Sequence, residues 1–175
     1  MSRSPAPATL AREEAMGAAE RISCNGLRVM RSSPVALKAL LALQDALAEA
    51  SIDRVTRARI ALAVAEANGC DYCLSRGTHL ARTVLGLDDA EITANRSGAS
   101  NDVAAEAAVR FAAQLVRRRG RVTNEDRAAL HAAGFTDAQA LEIVALVVLN
   151  TWTNYANGVA ATEIDFPHIA ARKVL

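Results

Sequence analysis

Apolar residues recur along this chain at spacings of three and four, and the breaks between those runs hold residues that start and stop helices. The first eight residues read as a frayed tail, and residues 9–175 as a single domain. A first helix is predicted from Thr9 to about Ile22, interrupted at Asn25-Gly26, with a short turn from Leu27 to Met30. Ser33-Pro34 then pairs a serine cap with proline at the first helical position. That helix carries Leu37, Leu40, Leu41, Leu43 and Leu47 and ends near Ala50. Asp53 caps the next one, which runs to about Ala67, and a further helix reaches Leu85 before Gly86. Asp88-Asp89-Ala90-Glu91 resembles a capping box, and Asn101 is predicted to cap the helix that stops at Gly120. Thr123 and Thr136 open the last two helices, the final one extending to about Asn157. Between Ile143 and Leu149 it is apolar nearly all round, which predicts burial on every side, in the core or between subunits. No run alternates with period two, so the predicted fold class is all-α.

Composition sharpens this picture. With 175 residues there is room for one domain and its core. Hydrophobic residues make up 51% but aromatics only 3%, so small apolar side chains dominate and helices can pack closely. Apolar surface left over on so small a protomer favours a homo-oligomer. A net charge of +1 gives no global field for nucleic acid or acidic membrane. The arginines at 117, 118, 119 and 121 lack interleaved aromatics and suit a helix C-terminus instead. The first seven residues do not read as a signal peptide, and the longest apolar segment is too short to span a bilayer. The expectation is a soluble, cytoplasmic protein.

Candidate chemistry concentrates in Glu66-Ala67-Asn68-Gly69-Cys70-Asp71-Tyr72-Cys73. Two thiols three positions apart in a helix share a face and can close a disulfide. If Asn68 or Gly69 ends one helix, both thiols fall in the first turn of the next, where the helix dipole favours thiolate. Glu66 sits at the other kind of helix end, after an apolar run, where a carboxylate is expected to hold its proton more tightly. The arrangement suggests redox chemistry. Buried structural thiols are the plainer alternative, and a zinc site would need more ligands than Cys24 and three scattered histidines offer. Cys24 reads as a bystander. Trp152 and Tyr155 share a helix face as core or interface anchors, or as pocket walls.

The stretch from Ala63 to Ser75 resembles the signature of the carboxymuconolactone decarboxylase superfamily, in its alkylhydroperoxidase AhpD-like branch. The tail Leu149-Asn150-Thr151-Trp152-Thr153-Asn154-Tyr155, followed by Thr162 to Pro167, resembles the C-terminal stretch of the same group. The likeness runs from about Leu27 to Pro167. It implies an AhpD-like helical fold, assembly into trimers or hexamers, and thiol peroxidase chemistry without metal, haem or other cofactor. By this resemblance Cys73 attacks the peroxide, Cys70 resolves the product, and Glu66 is the acid of a proton relay. An external dithiol or lipoyl-type reductant would then restore the pair. The family places a histidine four residues after the second cysteine, and here that position is Gly77. His79 comes two residues later and points about 240° around the helix from Cys73. Arg76, Tyr72 and His79 are auxiliary candidates, with His131 or His168 able to arrive from elsewhere. A non-catalytic or redox-sensing oligomer is therefore an alternative, and a lactone decarboxylase a more distant one, since that branch does not need the cysteine pair.

Overall fold

The computed structural model describes residues 24–172, and among these it contains eight helices and no strand. The predicted tail and the helix from Thr9 to Ile22 lie outside the described residues. In chain order the helices are α1 Asn25–Met30, α2 Pro34–Ala48, α3 Arg54–Ala67, α4 Asp71–Thr83, α5 Asp89–Arg96, α6 Val103–Arg117, α7 Asn124–Ala132 and α8 Asp137–Val159. The predicted starts mostly hold. Ser33 accepts the Ala36 N–H ahead of Pro34, and Asp53 accepts those of Val55 and Thr56. Thr123 with Asp126, and Thr136 with Gln139, close reciprocal capping boxes.

Two starts beside the buried Arg59 differ from expectation. Asp102, not Asn101, caps α6: one carboxylate oxygen takes the Ala104 and Ala105 amides while the other meets Arg59 Nη1 at 3.0 Å. At α5 only half a box forms. Asp88 accepts the Glu91 N–H, but Glu91 turns inward to Arg59 Nε at 2.8 Å and to Ser100, Asn95 and the Asn101 N–H. Those hydrogen bonds and the Arg59 charge outweigh burial and hold the Glu91 carboxyl below the usual carboxylate range.

The axis of the molecule is α3, which contacts α4, α5, α6 and α8. Ile60, Leu62, Ala63, Val64 and Ala65 are all buried, because alanines on neighbouring helices let backbones approach on several sides. Phe111 and Leu115 of α6, Leu130 of α7 and Ile143 and Leu146 of α8 complete the main core. Each large side chain sequestered there contributes about 1.5–3 kcal/mol of transfer free energy.

Within one chain α8 is not buried on every side, which leaves only the inter-subunit form of that expectation. Ile143, Leu146 and Val147 face the core, but Leu141 is 71% exposed, Val148 54% and Tyr155 62%. These three are seven residues apart, so they form one stripe along the helix. An apolar sequence does not say how many neighbours a helix has.

After α8 the chain runs back as an irregular strap, residues 162–172, across the start of α4. Its amides are satisfied by side chains: the Ile169 N–H by Ser75 Oγ at 2.8 Å, that of Ala171 by Asp71 at 2.8 Å, and that of Arg172 by Glu66 at 2.7 Å. Phe166 adds an edge contact to Tyr72 and a tilted one to His79.

Candidate active site

The site begins with the way α3 ends. Gly69 takes φ +68°, and its N–H bonds to the Glu66 carbonyl while the Cys70 N–H reaches back to Ala65. This is a Schellman stop, which suits glycine because the left-handed conformation penalises any Cβ. It also delivers Cys70 straight into the cap of α4. The sequence placed both thiols in the first turn of that helix. Cys73, the third helical residue, is there, but Cys70 is the N-cap, with Sγ accepting the Cys73 N–H at 3.3 Å. Both are free thiols, Cys70 buried and Cys73 partly exposed.

The two sulfurs are electrostatically unlike. Cys73 is held below the ordinary thiol range, first by the Cys70 thiol donating to it, then by the side chains of Asn154 and Asn157, with the Arg76 charge helping against burial. Asn157 Nδ2 donates to Cys73 Sγ at 3.4 Å and also to the Thr153 carbonyl at 2.8 Å, which fixes its rotamer. Asn68 Nδ2 holds Asn154 Oδ1 at 2.9 Å. Cys70 is pushed up, by its hydrogen bond to Cys73, by burial and by the neighbouring sulfur's charge. Of the two, Cys73 is therefore the thiol that gives up its proton first.

Neither asparagine was singled out from the sequence, although Asn154 lies inside the C-terminal motif. The available signal was a set of poor helix formers, Asn150, Asn154 and Asn157, in the second half of an otherwise apolar helix. Replacing Asn157 with alanine removes one donor to the thiolate. Alkylation of Cys73 by iodoacetamide at pH 7 is expected to slow roughly tenfold, as for loss of one hydrogen bond to a charged group. The folded thiol already ionises below the ordinary range, so the effect shrinks as pH rises and both proteins become thiolate. A rate–pH profile unchanged by the substitution contradicts this account.

Glu66 is not the solitary carboxyl in apolar surroundings that the sequence suggested. Its Oε2 meets Arg96 Nε at 2.6 Å and its Oε1 accepts the Arg172 N–H, so it is a buried ion pair under the strap. Arg96 also holds the Ala170 carbonyl at 2.8 Å. Tyr72 accepts the Gly26 N–H at 2.7 Å, and burial together with the hydrogen-bonded Cys24 thiol pushes its hydroxyl upward. Cys24 is thus a support for Tyr72 rather than a bystander. A Cβ on Gly26 would lie 2.7 Å from Tyr72 Cε1, so glycine is needed for that approach.

Of the histidines, His131 pairs with Asp137 at 3.1 Å at the junction of α7 and α8. His79 packs on Phe166, and His168, carried by the strap, stands 3.9 Å from Asp71. Gly77 meets α3: a Cβ there would sit 3.2 Å from Leu62 Cδ2, and Leu62 is buried. Restoring a histidine at that position is expected to cost about 1–3 kcal/mol by overpacking. Urea unfolding of Gly77→His, alone and with Leu62→Ala to make room, checks this, and an unchanged midpoint in the single variant counts against it. Beside Cys70 opens a cleft of about 440 Å³, whose lining includes Gly69, Asp71, Asn157, Tyr155 and Val159.

Fold and site together define an all-helical protein organised around an electrostatically polarised thiol pair at a helix start. The carboxymuconolactone decarboxylase family model matches residues 34–117, α2 through α6. Comparison with curated proteins returns no match. Among solved structures, the fold is similar to an uncharacterized peroxidase-related protein from Silicibacter sp. TM1040, with TM-score 0.72 and 22% identity over 92% of this chain and 87% of that one. It is equally similar to the debrominase Bmp8, solved as a cysteine-to-alanine variant in complex with 2,3,4-tribromopyrrole, with TM-score 0.72 and 24% identity over 94% and 89% of the two chains. The apo form of Bmp8 matches with TM-score 0.71 and 24% identity, over 94% and 90%.

Proposed function

We propose that this protein is a thiol peroxidase of the AhpD-like branch, reducing hydrogen peroxide or organic hydroperoxides through a Cys70–Cys73 disulfide cycle. The observation that supports it most is the Asn157 amide aimed at the Cys73 sulfur, one helical turn from Cys70. In this reading the Cys73 thiolate attacks the terminal peroxide oxygen, becomes a sulfenic acid, and releases water or alcohol. Cys70 then attacks that sulfur, expelling a second water and closing the disulfide. An external dithiol resets the pair. Arg76 acts as a fixed charge near the thiolate. Glu66 is the carboxylate of the proton relay, and Arg172 must lift from its Oε1 before it exchanges a proton. No cofactor enters the cycle. The stripe of Leu141, Val148 and Tyr155 supports burial against further copies, as a trimer or hexamer, and a thiol pair of this spacing suits the reducing cytoplasm.

The test is dithiol-dependent peroxide consumption by wild type and by Cys73→Ser and Cys70→Ser. Wild-type turnover lost in both variants supports the reading. A wild type that closes its disulfide in peroxide without turning over points to the redox-sensing alternative. Turnover of a brominated pyrrole with no peroxide turnover points to reductive dehalogenation by the same two thiols.

A further inference from the structure

We propose that Gly26 is a positioning residue for Cys73: its backbone, free of any side chain, is the wall that keeps the Asn157 amide on the Cys73 sulfur. This rests on the reading that Cys73 is the attacking thiol. Three observations carry it. Asn157 Nδ2 donates to Cys73 Sγ at 3.4 Å and to the Thr153 carbonyl at 2.8 Å, so both hydrogens of the amide nitrogen are engaged. Oδ1 of the same amide is buried and accepts no hydrogen bond. That oxygen abuts Gly26, where a Cβ would lie only 3.2 Å from it.

The wall is anchored. The Tyr72 hydroxyl accepts the Gly26 N–H at 2.7 Å, Asp165 accepts the Asn25 N–H at 2.8 Å, and Asn25 Nδ2 donates to the Glu163 carbonyl at 3.0 Å. The start of α1 is thereby tied to α4 and to the chain that follows α8. Oδ1 has no hydrogen bond of its own, so on that side packing alone restrains the amide. Any side chain at position 26 narrows this space. Nδ2 already stands at hydrogen-bond distance from the sulfur, so the amide cannot advance and has to turn about its own torsions.

The sign of the effect follows from which form of the sulfur uses the donor. An N–H aimed at sulfur favours thiolate, so turning it away raises the pH at which Cys73 ionises. The thiolate fraction at pH 7 falls, and the difference closes in alkali, where Cys73 is ionised either way. The titratable and charged groups acting on Cys73 are Cys70 and Arg76 of its own helix, and α8 adds only the Asn154 and Asn157 amides. Gly26→Ala alters none of these groups. Tyr72, which faces Gly26, is pushed upward by burial, away from the range in which Cys73 titrates.

Iodoacetamide alkylation of Cys73 in the reduced, full-length protein is followed by peptide mass spectrometry from mildly acidic to alkaline pH, so the readout does not depend on peroxide turnover. Gly26→Ala is expected to slow alkylation about threefold at pH 7, part of the loss expected of Asn157→Ala, and to match wild type in alkali. In an Asn157→Ala background the same substitution is expected to change nothing, because the amide on which it acts is gone. A Gly26→Ala profile equal to that of wild type overturns the proposal. So does a slowing that persists without Asn157, which would pass through Tyr72, whose Cε1 is 2.7 Å from the added Cβ. If Gly26→Ala does not fold, Tyr72→Leu is compared with Tyr72→Leu/Gly26→Ala, in which that ring is gone. The same slowing is expected between those two, and equal profiles overturn the proposal. A protein that meets these expectations yet consumes no peroxide leaves the assignment standing and removes the peroxidase reading instead.

Discussion

Serine at position 73 is expected to abolish peroxide-driven oxidation, whereas serine at position 70 is expected to leave a single oxidation per chain. The asymmetry follows from where the two sulfurs sit. In Cys70→Ser the Asn154 and Asn157 amides still address Cys73, so thiolate remains available to attack one equivalent of peroxide. The product is a sulfenic acid with no thiol to condense with, so turnover stops and excess peroxide drives it to the sulfinic state. In Cys73→Ser the remaining thiol is buried and has no asparagine amide addressed to it, and this outweighs the relief from the neighbouring sulfur that had pushed its ionisation up. Its oxidation is expected to fall by roughly three orders of magnitude. Stopped-flow oxidation with stoichiometric peroxide, followed by dimedone labelling, reads both outcomes. Dimedone should mark Cys73 in one variant and nothing in the other. Label on Cys70 in the Cys73→Ser protein, at a rate near wild type, would exchange the roles of the two sulfurs.

The pair's place at a helix start was legible before any fold was known. A glycine stop followed by Cys-x-x-Cys places the pair at a helix start through local rules alone, since a left-handed residue and a cap act over four or five positions. The cap's identity was not legible. A cysteine at the N-cap is unusual, and the sequence favoured both thiols inside the first turn. What lay further out was hidden because the partners are distant in sequence. Asn157 lies 84 residues from Cys73, and Arg96 lies 30 from Glu66. The apolar run before Glu66 argued for a lone acid, because periodicity reports which face is buried and not which charge awaits there. Gly77 was read as a missing histidine, whereas the fold uses it to seat Leu62 against α4. The stripe through Val148 shows the same limit from the other side: hydrophobicity marks a surface to be covered and does not say by what.

The second large effect is expected from Arg96→Ala, which should lower stability by about 3–5 kcal/mol, the range for removing one partner of a buried ion pair. The Glu66 side chain is 9% exposed and that of Arg96 15%, so their pairing is little screened by water. Without Arg96 the carboxylate keeps only the Arg172 N–H, and the Ala170 carbonyl loses its donor as well. The strap is therefore expected to loosen along with the pair, exposing the amides of Ala171 and Arg172. Glu66→Gln is gentler, because its side-chain oxygen can still accept the Arg172 N–H and the more accessible Arg96 can turn toward water. A control comes from Arg82 and Asp89, an ion pair with side chains 49% and 76% exposed. Removing that pair should cost no more than about 1 kcal/mol. Urea unfolding of Arg96→Ala, Glu66→Gln and Arg82→Ala, with hydrogen exchange at residues 169–172, separates the cases. If Arg96→Ala loses no more stability than Arg82→Ala and the strap amides stay protected, Glu66 does not depend on Arg96, and the strap is held by its other contacts, among them those to Ser75, Asp71 and Asn25.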